Sequence, residues 1–457
     1  MSLLDVVILA AGKGTRMKSA LPKVLHPVGG RPMVAHVIGA AQALSARRIV
    51  VVLGHGIEQV APVVEAMGAT VAEQRQQLGT GHAVQQALSQ LPGDEGRTLI
   101  LFGDVPLVGV DSLRKLVEST PLDSLALLTT RLDNPFGYGR IVRDARGNVA
   151  RIVEQKDASE AERAITEVNT GIMLVPNHFL HRALPLLKND NAQREYYLTD
   201  LVAMAQGESR AVVAIDCPAA ETMGVNDRLQ LATVERLYQR TLADELMRAG
   251  VTLADPARVD IRGEFTCGND TVIDINLVVE GKVVVGSGCR IGPNVVLKDC
   301  VIADNVEIRA FTHIDGATVA SDGVIGPFAR LRPGADLAPG VHIGNFVEIK
   351  QADIGEGSKV NHLTYIGDAE IGRDVNVGAG TITCNYDGAN KHLTVIEDNA
   401  FIGSNSALVA PVTVGAGSTV GAGSTVTDDV PPAALAVARG KQRNIDGWKR
   451  PQKAKKE

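Results

Sequence analysis

Residues 396–426 read IEDNAFIGSNSALVAPVTVGAGSTVGAGSTV, with an aliphatic side chain at every sixth place: Ile396, Ile402, Leu408, Val414, Val420 and Val426. A period of six fits neither an amphipathic helix nor an alternating strand. It marks hexapeptide coils, in which each hexad forms one side of a triangular turn and the aliphatic residue points inward. The same spacing runs upstream through Val279, Val285, Ile291 and Leu297, then Ile302, Ile308 and Ile314, then Ile325, Leu331, Leu337, Ile343 and Ile349. Glycine often follows the aliphatic, as in Ile291-Gly292, Ile343-Gly344, Ile371-Gly372 and Val414-Gly415. Three hexads close one coil, so the segment from about Val259 to Asp428 predicts a parallel β-helix of roughly nine coils. These aliphatics are core. The period shortens to five at Leu297–Ile302, Ile349–Ile354 and Ile366–Ile371, and it breaks altogether at Thr383–Leu393, TCNYDGANKHL. A loop thrown out of a β-helix wall is a place for function.

Upstream of the repeat, Leu229, Thr233, Leu237, Leu242 and Leu246 recur at roughly helical spacing until Gly250. Before that, apolar runs at Val6–Leu9, Ile49–Leu53, Thr98–Phe102 and Leu125–Thr130 alternate with helical stretches near Met33–Leu44 and His82–Leu91. This is the βαβ alternation of a mostly parallel sheet covered on both faces. The chain is therefore α/β in class. It divides into a Rossmann-like domain over 1–225, a helical linker over 226–250, and a β-helix with a tail over 251–457.

The 457 residues are 45% apolar and 21% charged, which suits two or three soluble domains. A net charge of −6 argues against broad nucleic-acid binding. Five scattered cysteines show neither zinc nor disulfide spacing and point to a reducing, cytoplasmic compartment. No signal peptide or membrane span is expected.

The first strand runs into LAAGKGTRMKSALPK, Leu9 to Lys23. Gly12 and Gly14 let backbone N–H groups approach phosphate oxygens, and Lys13, Arg16, Lys18 and Lys23 supply countercharge. It is not a P-loop, and Met17 stands where a dinucleotide fingerprint needs its third glycine. Ligands of such sheets bind at the carboxyl ends of the strands. Asp104, just past Phe102-Gly103, lies at that edge and is a candidate Mg²⁺ ligand, with Asn226 as a possible second. Gln74 precedes Gly79 and Thr80, which open a helix whose N-terminus could take a base or a phosphate edge.

In the repeat, Arg332 and Lys350 each follow an inward aliphatic, Leu331 and Ile349, one coil apart. They should stack about 4.8 Å from each other and hold an anion such as a sugar phosphate. By the same count Glu348 and Tyr365 stack. His362, two places after the inward Val360, should point outward as a candidate base, with a carboxylate such as Glu348 orienting it. Arg332, Lys350, His362 and Asn376 fall on different sides of the triangle. Walls of neighbouring subunits meeting in a cleft would gather them, so a homotrimer is expected.

The motifs LAAGKGTRM, LPKVLH, QLGTGHA, GDVPL, GYGRI, VEQKDA, EVNTGI, NAQREYYLTD and GVNDRLQ resemble those of sugar-1-phosphate nucleotidyltransferases. Together with IGPFARLRPG, GNFVEIK, NHLTYIGDAEIG and GAGTITCNYDGANK, nearly the whole chain resembles one bacterial family. Its members are bifunctional N-acetylglucosamine-1-phosphate uridyltransferases and glucosamine-1-phosphate N-acetyltransferases, with a left-handed β-helix. The resemblance implies uridine contacts at Leu9, Ala10, Ala11, Gly12, Gln74, Gly79 and Thr80, and further substrate contacts at Phe102 and Gly103. It implies sugar contacts at Gly139, Glu154 and Asn169, with Mg²⁺ on Asp104 and Asn226. Lys23 and Arg16 would stabilise charge as a sugar phosphate attacks UTP and pyrophosphate leaves. In the second domain it implies His362 as general base and sugar-phosphate binding at Arg332, Lys350, Tyr365 and Asn376. Acetyl-CoA would contact Ala379, Asn385, Tyr386, Ser404, Ala422 and Arg439. The start of the basic tail that runs from Arg439 to Lys456 is expected to help hold the coenzyme phosphates, with Trp448 near the adenine or pantetheine. The products would serve peptidoglycan and lipopolysaccharide synthesis. Two rival readings are a nucleotidyltransferase whose β-helix only builds the oligomer, and an assembly protein with dead sites. The cluster at Arg332, Lys350 and His362 speaks against the first, and Lys23 with Asp104 against the second.

Overall fold

The computed structural model describes residues 3–93, 95–451 and 453. The chain forms two compact units that divide between Thr241 and Leu242, inside the helix Arg228–Arg248.

In the first unit the strand order is Val212–Asp216, Leu125–Arg131, Glu167–Pro176, Arg97–Phe102, Leu4–Ala10, Arg48–Leu53, Thr70–Glu73. Neighbours are parallel except Glu167–Pro176, which runs antiparallel to both of its neighbours. That strand, and the antiparallel hairpin Arg140–Arg143 with Val149–Val153, depart from the simple alternation expected. Strand period sorts the core. Val6, Ile8 and Ala10 pack on one face, while Val7, Leu9 and Ala11 pack on the other. Both faces are covered, so the first strand is apolar except for buried Asp5, which pairs with Arg47 near its start, and a ligand meets the strand at its carboxyl end.

In the second unit one wall is an eleven-stranded parallel sheet from Thr252–Leu253 to Leu435–Ala436. It begins before and ends after the strict six-residue period, which is why it exceeds the expected nine coils. The other two walls belong to a fifteen-stranded sheet, because strands such as Glu348–Ile354 and Tyr365–Ile371 run on around a corner. Two of the three five-residue steps, Ile349–Ile354 and Ile366–Ile371, run within these continuous strands. Asp299, Gln351 and Asp368 sit at the tight corners with positive φ. The inward residues Val279, Leu297, Ile314, Leu331, Ile349 and Ile366 stack in register, all fully buried. Each contributes about 1.5–3 kcal/mol of burial.

One corner of the β-helix departs from this economy. Phe311, Phe328, Phe346 and Leu363 follow one another coil by coil with positive φ, and all are about half exposed. The phenyl rings stack at 5.0 and 5.2 Å. Asn294 and Asn405 hold the same conformation elsewhere in the β-helix, as that region of backbone prefers.

Candidate functional site

In the first unit Leu9, Ala10, Ala11, Gly12, Lys23, Gln74, Gly79, Thr80, Phe102 and Asp104 line one cleft of about 240 Å³ at the carboxyl edge of the sheet. Gly103 adjoins it, its N–H donating to the Leu9 carbonyl at 2.9 Å. Gly14 has φ 59°, and a Cβ there would lie 2.7 Å from Cβ of Lys23. Only glycine lets the two loops close. Gly79 starts the helix Thr80–Ala87 with no side-chain cap; of its first N–H groups Gly81 donates to the Tyr196 carbonyl at 2.8 Å, and that of Thr80 faces the cleft end of the helix as a donor for a ligand. Buried Gln74 donates to the Gly79 carbonyl at 3.2 Å and fixes that turn.

Lys23 is the focus of the cleft. Its Nζ meets Oδ2 of Asp104 at 2.5 Å and donates to Oδ1 of Asn226 at 3.3 Å. The two candidate metal ligands thus converge on one point. A carboxylate and an amide oxygen suit Mg²⁺, which takes one or two protein oxygens and completes its shell from water and substrate phosphates. Among the described residues no denser cluster of His, Cys, Asp and Glu competes for a metal. Arg16 lies exposed in the 3-10 turn Thr15–Met17, with no ion-pair partner among the described residues.

Gly139, Glu154 and Asn169 form a neighbouring group. The Asn169 N–H donates to the Gly139 carbonyl at 2.8 Å, and Thr199 Oγ1 donates to Glu154 at 3.3 Å. Burial pushes the Glu154 carboxyl up, and Asp157, Asp200 and Glu195 add to it. Tyr138 links the two groups: burial, then the Asp104 charge, raises its phenol. Gln77 and Glu195 also line the cleft; they lie within QLGTGHA and NAQREYYLTD, motifs that by themselves give them no role.

On the β-helix, Arg332 and Lys350 are neighbours on adjacent coils, as the count of hexads predicts. Arg332 Nη1 also reaches Glu348 Oε1 at 2.7 Å, and Arg330 stands 3.7 Å from the other oxygen. Glu348 pairs in register with Tyr365. A Cβ on Gly367 would lie 2.3 Å from the Tyr365 hydroxyl, so glycine makes room for that ring. His362 is exposed, and its Nδ1 lies 2.7 Å from Oδ1 of Asn345. This corrects the expected orienter: Asn345, one coil below, holds the imidazole, because Glu348 is engaged by arginines. The Asn345 oxygen places the proton on Nδ1 and leaves the Nε2 lone pair free. Asn376 lies on the next strand of the eleven-stranded wall, away from the Arg332–Lys350 wall.

The interrupting loop is stapled by Asp387, which accepts from Ala389 N–H, Asn390 N–H and His392 Nε2. Tyr386 pairs with Lys391 across it. Lys391 comes forward to Lys350, and its donation pushes the Lys350 ammonium below the ordinary lysine range while its own is raised. Lys391 is the cation that repeat counting cannot place, because the loop has no register. Asn385 bonds to Asp368 and Tyr365, so it belongs with this cluster. Ala379, Ser404 and Ala422 lie one wall away, joined coil to coil. Asn405 N–H donates to Ala379, Gly423 N–H to Ser404, and Arg439 Nη1 to the Ala422 carbonyl at 2.7 Å. Trp448 is largely exposed. Lys455 and Lys456 lie outside the described residues.

Residues 6–170 match the MobA-like NTP transferase domain, and 393–428 match the bacterial transferase hexapeptide (six repeats). The bifunctional protein GlmU of Cupriavidus pinatubonensis is 57% identical over 99% of this chain and 100% of its own length. That of Cellvibrio japonicus is 58% identical over 98% of this chain and 99% of its own, and that of Marinobacter nauticus 57% over 99% and 100%. With both units matched end to end, the chain belongs to the bifunctional GlmU family.

Proposed function

We infer that this chain carries both steps to UDP-N-acetylglucosamine. The second unit acetylates glucosamine-1-phosphate from acetyl-CoA, and the first transfers uridylyl from UTP to the product with release of pyrophosphate. The observation that carries this reading is that each unit holds its own focus of positive charge built for a phosphate. Lys23 is the focus in the first, and Arg332, Lys350 and Lys391 form it in the second.

In acetyl transfer His362 Nε2 takes a proton from the substrate ammonium, freeing an amine to attack the thioester carbonyl; the C–S bond breaks, the coenzyme leaves as thiolate and is protonated to the free thiol, and Asn345 keeps the ring in the required tautomer. Arg332, Lys350 and Lys391 hold the sugar phosphate, with Tyr365 and Asn376 completing that site. Ala379, Ser404, Ala422 and Arg439 offer the coenzyme a path along the coils, with Asn385 and Tyr386 at its mouth. In uridyl transfer Gln74, Gly79 and Thr80 seat the base, Leu9 to Gly12 the nucleotide backbone, and Gly139, Glu154 and Asn169 the sugar. Lys23 and Arg16 stabilise the charge that moves to the leaving pyrophosphate. Mg²⁺ would be held by Asp104 and Asn226 and would supply positive charge against the phosphates.

The aromatic corner supports a homotrimer. Holding three phenylalanines in a left-handed backbone to leave them in water brings no gain, whereas a second copy covering them does. The ladder ends at Leu363, beside His362, so a copy seated there would complete the cleft. Five free thiols fit the cytoplasm. Among the described residues no helix is long and apolar enough to cross a membrane.

The test uses one preparation of the full chain. Glucosamine-1-phosphate with acetyl-CoA should release thiol without UTP, and N-acetylglucosamine-1-phosphate supplied in a separate sample should release pyrophosphate only when UTP and Mg²⁺ are added. Thiol release without pyrophosphate under all conditions would refute the first assignment, and the converse the second.

A further inference from the structure

A buried histidine outside both sets of nominated residues ties the first site together. His26 is 3% exposed and lies three residues past Lys23 in LPKVLH. Its Nδ1 lies 3.3 Å from Nη1 of Arg228, and the same guanidinium donates through Nε to the Met17 carbonyl at 3.3 Å. Met17 adjoins Arg16, and Arg228 stands two residues past Asn226. One side chain therefore joins the three segments that carry Arg16, Lys23 and Asn226.

The bond has a defined polarity. Burial, then the Arg228 charge, holds His26 below the ordinary histidine range, and the Leu21 backbone opposes them, so a neutral ring accepts from the guanidinium through Nδ1. The ring is therefore not left without polar neighbours in its pocket. Nor is the contact needed to dock the helix. Glu235 accepts from the Gly29 N–H at 2.8 Å, and Tyr238 meets His36 edge-on at 5.1 Å, and both pin the same helix to residues 28–36.

We propose, on the reading of Lys23, Asp104 and Asn226 as the triphosphate and metal site, that His26 is a positioning residue for uridyl transfer. Through Arg228 it holds the Lys23 loop and the Asn226 turn in mutual register, so that Nζ, the Asp104 carboxylate and the Asn226 amide share one focus. Chemistry of this kind rests on placement, and a shift of about 1 Å costs about 10²-fold in rate.

The test is steady-state uridyl transfer by the full chain, with kcat, half-saturating Mg²⁺ and KM for N-acetylglucosamine-1-phosphate measured separately. Beside it, Mg²⁺ is titrated calorimetrically into the chain with UTP and no sugar, where Arg228→Met should bind the metal more weakly than the parent and equal binding would overturn the clamp. Arg228→Met and His26→Leu should each lower kcat by about 10–100-fold and raise half-saturating Mg²⁺ about tenfold. The sugar-phosphate KM should stay within about twofold, because Gly139, Glu154 and Asn169 sit on other elements. The double variant should lose no more than either single one, since both break one bond. His26→Asn, whose amide restores an acceptor near Nδ1, should recover most of the rate. Arg228→Met with kcat and Mg²⁺ dependence within about twofold of the parent would overturn the clamp, and so would a double variant that loses the product of the two single losses. A lower kcat with both half-saturating Mg²⁺ and the sugar-phosphate KM raised, none of it rescued by His26→Asn, would show a structural role and overturn it too. Asp104→Ala separates the two levels: full activity there removes the underlying reading of the site, whereas loss there beside an indifferent Arg228→Met removes the clamp alone.

Discussion

The two candidate sites gather their residues by different means. In the first unit, Lys23 meets Asp104 across 81 positions and Asn226 across 203, and each comes from a separate loop at the sheet edge. In the second, Arg332 meets Glu348 across 16 positions, and His362 meets Asn345 across 17, one coil in each case. A site on loops needs cross-links such as Gly14 against Lys23 to stay in shape. A site on a β-helix inherits its spacing from the ladder beneath it, and only the loop bearing Lys391 has to be stapled. Damage should therefore spread differently in the two.

The largest effect expected is on the ladder site. His362→Ala should lower acetyl transfer by about 10²–10⁴-fold, read as thiol release, while pyrophosphate release from UTP and supplied N-acetylglucosamine-1-phosphate holds. Equal loss of both would mean the sites are not separable. Next, Asp104→Ala should lower uridyl transfer by about 10²–10³-fold, and EDTA should stop it, with thiol release intact in both cases. Uridyl transfer that ignores EDTA would remove the metal from the scheme. A third experiment asks whether the ladder site is complete within one chain. Phe328→Ser with Phe346→Ser should dissociate the oligomer by light scattering and lower acetyl transfer by at least about tenfold at dilute protein. A fully active monomer would end the trimer. The smallest effect concerns pH. Lys350 sits below the ordinary lysine range because of Lys391 first and Arg332 last, with Asp368 opposing them. A bound phosphate favours its charged form, so binding should weaken as pH rises through that lowered value. Lys391→Met lets Lys350 return upward, so the weak-binding limb of the glucosamine-1-phosphate KM profile should move to higher pH, while KM at neutral pH rises about tenfold. An unmoved limb would show that the two lysines do not interact.

Ile396 to Val426 announce their fold because a β-helix maps distance along the chain onto height. Counting by coils also brings Arg332 beside Lys350 and Glu348 beside Tyr365. The same count leads from His362 to Asn345, but chemical habit favours a carboxylate, and whether Glu348 is free depends on Arg330 and Arg332, which only the structure shows. Counting inward aliphatics alone passes over Phe311, Phe328 and Phe346, whose spacing is equally regular. In the first unit the glycine loop and Asp104 are legible from their place after strands. The antiparallel strand Glu167–Pro176 is not, since βαβ alternation carries no sign of reversal. Lys391 and the convergence of Lys23 on Asn226 are set by loops without periodicity.

The helix Arg228–Arg248 ends with Ala243 and Leu246 in the β-helix core, next to Val251 and Leu253 of the first coil. On a ribosome the chain emerges from its N-terminus, so that last helical turn is made before any coil exists. The first coil finds a lid already in place, and each later coil is laid on a finished apolar floor, losing only local chain entropy. Synthesis then proceeds with at most one open end, at the growing tip, and this limits the sticky intermediates that a sheet waiting for distant partners would expose.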